Sequence, residues 1–210
     1  MQLNNRRLHR YTVALTAALA LAAPAAAQNT QARAQGAIRD TSRIGIDNFG
    51  RVDDNYFRGG QPQGHDYANL AAAGVKTVIN LTSDDAQSGE RAMAESAGMK
   101  YFQIPMTTHQ VPTAAQIETF LGIVNNQANK PVYVHCVGGR HRTGVMTAVY
   151  RMANQGWSAS QAFAEMKQYK FGADFLHSEF KDFVLAYPAQ LAHAVAAAPA
   201  DVLAKSKVGG

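Results

Sequence analysis

The sequence predicts an α/β fold of three layers, in which a central, mainly parallel sheet is flanked by helices and an anion-binding loop joins a central strand to a helix. Three observations lead there. Short apolar runs recur at 75–81, 100–106 and 131–135. The stretches between them place apolar residues at helical spacing, and the last run opens into a glycine-bearing loop.

The first element is a hairpin, or two strand pieces, from Ile46 to Val52 and from Tyr56 to Gly60, joined by the acidic turn Asp53-Asp54 and ended by Gln61-Pro62. Residues 64–73 form a short helix that Gly74 stops, since glycine takes a left-handed C′ position without a Cβ penalty. Val75 to Leu81 is a central strand followed by the loop Thr82-Ser83-Asp84-Asp85, and a helix from Ala86 to Ala97 closes at Gly98. Lys100 to Met106 is the next strand. Thr113 and Gln116 make a capping box, after which Ile117, Phe120, Leu121 and Val124 share one helix face. Strand, helix, strand, helix in this order requires parallel strands joined by crossovers. Beyond the glycine loop, Val145, Ala148, Val149 and Met152 repeat at helical spacing until Gly156. Ser158 and Gln161 cap a second helix carrying Phe163 and Met166, and Leu176, Phe180, Phe183 and Val184 mark a third; these stripes are assigned to the core.

At the amino end, Arg6, Arg7 and Arg10 precede the apolar segment Val13 to Ala23 and the small residues Ala25-Ala26-Ala27, the pattern of a secretory signal peptide cleaved after Ala27. Its apolar core is short for a bilayer span, so the protein is expected in the periplasm or secreted, with no stable membrane insertion after cleavage. The order is then a signal peptide at 1–27, a flexible lead at 28–43, one domain at 44–187 and an alanine-rich tail at 188–210. Cleavage leaves 183 of the 210 residues and lowers the formal charge from +5 to +2, because the removed segment holds three arginines and no acid. That balance, with no basic run interleaved with aromatics, argues against nucleic acid as a partner. A monomer is expected. Cys136 is the only cysteine; in an exported chain it excludes an internal disulfide and a resolving thiol, and so points to chemistry.

That chemistry lies in residues 131–144. A strand leads into the loop, Gly138 and Gly139 free backbone N–H groups to point inward, the following helix adds the partial positive charge of its N-terminus, and Arg142 offers a planar fork of donors. Val137, Gly138, Gly139, Arg140, His141 and Arg142 thus form a phosphate-binding cradle whose field stabilises a thiolate at Cys136. The five residues between Cys136 and Arg142 let one loop wrap a tetrahedral oxyanion, with sulfur beneath phosphorus and the guanidinium at the rim.

With His135, Gly139, Thr143 and Gly144, the stretch resembles the signature of the cysteine-dependent protein tyrosine and dual-specificity phosphatases, whose three-layer phosphatase fold matches the predicted layout. Asn48-Phe49-Gly50-Arg51-Val52 and Tyr56-Phe57-Arg58-Gly59-Gly60-Gln61-Pro62 resemble the opening of bacterial dual-specificity-type enzymes. Residues 139–144 are similar to the loop of plant and fungal atypical dual-specificity phosphatases, which act on inositol pyrophosphates. The resemblance implies a hydrolase that forms a phospho-cysteine on Cys136 and uses no cofactor. It further implies that Arg142 gains contact in the transition state, that Thr143 donates its hydroxyl to the sulfur, and that His135 orients the loop. The aspartate that this family supplies as general acid is absent from Thr107-Thr108-His109-Gln110-Val111-Pro112, and its second location in the family holds His141. The proton donors to consider are His109, His141, and Asp84 or Asp85, unless a good leaving group such as a phosphoanhydride needs none.

The expected substrate is a phosphorylated protein or an inositol phosphate. A phosphate-binding pseudophosphatase is the alternative outside enzymes, and the intact Cys136, Arg142 and Thr143 weigh against it. The spacing from Cys136 to Arg142 fits a rhodanese-type sulfurtransferase less well, and a thiol-relay arsenate reductase needs further cysteines. No histidine lies at zinc-ligand spacing from a second ligand, so no metal site is expected.

Overall fold

Five short strands form one sheet: β1 (Gly50–Asp53), β2 (Tyr56–Gly59), β3 (Thr77–Asn80), β4 (Lys100–Gln103) and β5 (Val132–His135), in the order β1-β2-β5-β3-β4. The structure is a computed structural model that describes residues 40–83 and 85–197. β1 and β2 make the antiparallel hairpin that the acidic turn predicts, with an irregular register between Arg51 and Asp53. Every other pairing is parallel, because a helix-bearing connection carries the chain back between strands. β5 is central, and Gly59 of β2 and Asn80 of β3 both lie opposite His135.

The helices are α1 (Asp66–Ala72), α2 (Glu90–Ser96), α3 (Ala114–Asn125), α4 (Arg142–Gln155), α5 (Ala159–Gln168) and α6 (Ser178–Ala197). Alternation along the strands decides the layers. Ile79, Val132 and Val134 pack with Phe120 and Val124 of α3 and Met146 of α4. Val78 and Tyr133 turn to the other face, with Leu70 of α1 and Ala94 of α2. α5 and α6 cover the far side of α4 through Ala162, Met166, Phe180 and Val184. As a result α4 is enclosed from Arg142 to Met152, every residue of that span being buried. Both predicted capping boxes are formed: Thr113 and Gln116 bond reciprocally, as do Ser158 and Gln161, which fixes where α3 and α5 begin.

Four expectations need correction, and others fall outside the described residues. The second helix starts at Glu90 rather than Ala86, since Gly89 at φ 78° precedes it in the left-handed region. β4 stops at Gln103 rather than Met106, because its partner β3 ends at Asn80. Leu176 is 60% exposed and lies in the turn before α6 rather than in its apolar stripe. α6 runs on through Pro188 to Ala197, so the domain's last helix extends into the segment assigned to the alanine-rich tail. Pro188 removes one rung of the hydrogen-bond ladder, and the alanine-rich residues after it have the propensity to continue the helix. The signal peptide, residues 28–39 of the lead, Asp84 and residues 198–210 lie outside the described residues. No helix among the described residues is long and apolar enough to cross a membrane.

Phe120 joins α3 to the sheet, packed edge-on against Tyr56 with 6.3 Å between ring centroids. Phe120→Ala is expected to lower stability by about 3–5 kcal/mol, read from the denaturant midpoint at unchanged slope.

Candidate active site

At the carboxyl end of β5 the chain leaves the sheet at Cys136 and turns back into α4 within six residues, so Cys136 and Arg142 bracket one loop. The carbonyls of that loop are tied to its outside. Val137 O accepts the Gln61 N–H at 2.9 Å. The Asn48 side-chain amide donates to Gly138 O at 3.3 Å and to Gly139 O at 2.9 Å, and Arg58 Nη2 donates to Gly139 O at 2.7 Å. In a trans peptide the N–H points opposite to the carbonyl. The N–H groups of Gly138, Gly139 and Arg140 are therefore turned to the other side, and among the described residues they meet no acceptor. Amides so aligned, followed by the first turn of a helix, form an anion-binding concavity.

Close backbone approach dictates the glycines. A Cβ on Gly139, at φ 64°, would lie 2.4 Å from the Gly59 carbonyl carbon. On Gly60 it would lie 3.0 Å from Val137 O, the carbonyl that Gln61 holds. β2 thus abuts the loop directly: the Gly139 contact leaves no room for a Cβ, and one at Gly60 would be tight against two carbonyl oxygens.

A cleft of about 390 Å³ opens here, lined by Asp85, Thr108, Cys136, Val137, Gly138, Arg140, His141 and Arg142. Cys136 is 3% exposed at its floor, and Arg142 is buried. Arg142 is already engaged: Nη1 and Nη2 donate to the two Asp85 carboxylate oxygens at 2.8 and 2.6 Å, and Nη1 also donates to Met106 O at 3.1 Å. This bidentate bond holds the Asp85 carboxyl below the usual carboxylate range. Asp85 side-chain exposure is 35%, which leaves the carboxylate displaceable by an entering anion.

The remaining expectations sort themselves around this cleft. His135 lies behind the loop, with Nε2 2.7 Å from Glu90 Oε1 and both side chains fully buried. Glu90 Oε2 in turn accepts from Asn80 Nδ2 at 2.6 Å and from the Tyr101 hydroxyl at 3.4 Å. Among the described residues neither His135 ring nitrogen makes a hydrogen bond, so the expected orienting bonds to the loop are not formed and its polar contact is with Glu90 alone. The Thr143 hydroxyl is buried and makes no hydrogen bond, so the predicted bond to the Cys136 sulfur is not formed: Thr143 sits inside the first turn of the enclosed α4. His141 lines the cleft, but its Nε2 is bonded to Phe171 O at 3.0 Å and burial pushes its pKa down. His109 is 78% exposed and points to Glu179, 4.0 Å away, rather than into the cleft. Asp84 lies outside the described residues.

Asn48, Arg58, Gln61 and Glu90 carry roles that spacing does not disclose. Asn48 holds a left-handed backbone at φ 55° and also donates to Tyr169 O at 2.9 Å, tying the cradle to the end of α5. Arg58 is fully buried, with its guanidinium 3.9 Å from the Tyr169 ring centroid. An arginine inside the apolar strand Tyr56–Gly59 is itself a signal, since a charge is seldom buried without a task.

A family profile described as DSP-PTPase phosphatase fused to NAD+ kinase matches residues 40–182. The dual specificity protein phosphatase TpbA of Pseudomonas aeruginosa is 30% identical over 125 residues, which make up 60% of this chain and 56% of TpbA. The inositol diphosphatase DSP4 of Arabidopsis thaliana is 29% identical over 126 residues, 58% of this chain and 63% of that protein. This chain thus spans little more than half the length of TpbA. A crystal structure of P. aeruginosa TpbA, in a cysteine-to-serine form in complex with pTyr, superimposes with a TM-score of 0.57 at 26% identity, over 81% of this chain and 94% of that one.

Asn48→Gly removes the amide that holds two cradle carbonyls while keeping the left-handed backbone accessible. Titration with vanadate is expected to show binding weakened by about tenfold or more, the worth of one to two hydrogen bonds, in a protein that still folds.

Proposed function

The chain belongs to the DSP-PTPase phosphatase family, and we propose that it hydrolyses phosphomonoesters of proteins, with phosphotyrosine or dual specificity, through a phospho-cysteine on Cys136. One observation carries this reading: Cys136 lies in a cleft that also presents Arg142, beside a loop whose Val137, Gly138 and Gly139 carbonyls are held on its outer side. The phosphate dianion displaces Asp85 and takes the Arg142 fork together with the loop amides. The Cys136 thiolate attacks phosphorus in line, an S–P bond forms, and the P–O bond to the leaving group breaks. Water then attacks phosphorus, the S–P bond breaks, and the thiolate returns. Arg142 and the amides serve the flattened transition state, where charge spreads over the equatorial oxygens.

The leaving oxygen takes its proton from Asp85. Of the candidates, His109 faces Glu179 and His141 spends its Nε2 hydrogen on Phe171, whereas Asp85 lines the cleft. In the free protein Arg142 keeps Asp85 ionised. Once phosphate occupies the guanidinium, the carboxyl loses its cation and gains an anionic neighbour, and both changes raise its pKa. Substrate binding thereby makes the acid.

A second reading, inositol polyphosphate hydrolysis by the same steps, draws support from Arg140. It is exposed, lines the cleft, and among the described residues forms no ion pair, so it suits a second phosphate. DSP4 is named an inositol diphosphatase. The signal-peptide pattern at residues 1–27 supports export to the periplasm or beyond, with residues 44–187 as the phosphatase domain.

Phosphate release from p-nitrophenyl phosphate, a phosphotyrosine peptide and phytate, measured without added metal, tests the reaction and ranks the substrates. Cys136→Ser is expected to reduce release to background on all three; persistence in that variant would refute the cysteine mechanism. Asp85→Asn is expected to slow phenyl phosphate by about 100-fold and p-nitrophenyl phosphate far less, because the better leaving group needs little protonation. Equal slowing of both would exclude Asp85 as the acid.

A further inference from the structure

Beside the cleft, three side chains from two distant segments converge. His109 comes from the loop between β4 and α3, and His177 and Glu179 from the turn that begins α6. His177 Nδ1 is 3.3 Å from Glu179 Oε1, His109 Nδ1 is 4.0 Å from the same oxygen, and one ligand atom from each residue lies within 4.8 Å of the others. In a tetrahedral zinc site with bonds of about 2.0–2.1 Å, neighbouring donors stand about 3.3 Å apart. The His177–Glu179 pair already has that separation. His109 is 78% exposed, which leaves its side chain room to rotate toward the pair.

We propose that His109, His177 and Glu179 bind a divalent transition metal of the zinc class at the rim of the cleft, with solvent in the fourth position. Two imidazoles and one carboxylate suit zinc, or its late first-row neighbours, rather than calcium or magnesium, which favour oxygen. The site is supported from behind. The His177 ring packs on His141 with 3.8 Å between centroids and on Phe180 at 5.8 Å, which limits its rotation. His141 is in turn held by Phe171 O. Such packing and outer bonds orient metal-binding imidazoles. The consequence is mechanical: a bound ion staples the loop carrying Thr108, which lines the cleft, to the start of α6. The absence of zinc-ligand spacing in the sequence is thus overridden, since His109 and His177 are 68 positions apart and only the fold brings them together.

Titration of the untagged protein with Co²⁺, followed by visible absorption and reversed with Zn²⁺, tests the site by a readout independent of phosphatase turnover. One ion per chain is expected, with d–d bands of low coordination number and no thiolate-to-metal charge-transfer band, and Cys136→Ser is expected to bind equally well. Glu179→Gln and His109→Ala, both at surface positions, are expected to weaken binding by at least about tenfold, since loss of an outer-shell partner alone costs that much. The proposal is overturned if no ion binds up to millimolar concentration, if binding disappears in Cys136→Ser, or if neither Glu179→Gln nor His109→Ala weakens it.

Discussion

A phosphate cradle made of backbone needs amide hydrogens on its inner side, and a peptide can present its N–H inward only if its carbonyl is satisfied elsewhere. Here that demand falls on three consecutive peptides. Gln61 N–H takes the first carbonyl, the Asn48 amide the second and third, and Arg58 the third again. All of these donors come from the segment around the β1–β2 hairpin, so the amino-terminal part of the domain is a mould for the loop. The direct backing of Gly139 by Gly59 and Gly60 follows from the same arrangement. Without the mould, the loop glycines would be free to turn either way, and the concavity would exist only as one member of an ensemble.

Charge is distributed on two levels around that concavity. Arg58, buried beneath the loop, contributes a fixed cation that never meets solvent, whereas Arg142 presents its fork to the cleft. The bidentate bond to Asp85 resolves what would otherwise be a costly state for the second guanidinium, nearly buried and without an anion. It also makes one carboxylate do two things. Asp85 neutralises Arg142 in the free protein, and in the mechanism we propose it is released, beside the departing oxygen, by the arrival of the substrate. A carboxylate with this double role need not lie in the segment where the family usually keeps its acid.

The link between the two faces of the sheet runs through β5. Its Val132 and Val134 anchor the α3–α4 face, while Tyr133 and His135 face α1 and α2, where His135 meets Glu90 at the first position of α2. Glu90 gathers His135, Asn80 and Tyr101 into one buried polar group. This group lies directly beneath the strand end that delivers Cys136. Enclosure of α4 by α5 and α6 fixes the other end of the loop at Arg142.

How much of this can be read in the chain follows from sequence separation. The strand, the glycine turn, the helix start and the Cys136–Arg142 bracket are local, and the parallel order of strands follows from alternation of short apolar runs with helical stripes. Capping boxes at Thr113 and Ser158 are equally local and equally legible. The place of Leu176 and the end of α6 are not legible in the same way, because the turn before Ser178 and the tolerance of Pro188 depend on what packs nearby. The partner of Arg142 lies 57 positions away, Asn48 lies 90 from the carbonyl it holds, and His109 stands 68 from His177. Spacing encodes nothing at such range, because the intervening chain can close in many ways. By itself, then, the sequence determined the fold class and the nucleophile–arginine loop, whose geometry the covalent chain enforces within a few residues. Only the tertiary structure decided which side chains support, neutralise and border that loop, since those contacts exist only after the sheet has assembled and the helices have packed across it.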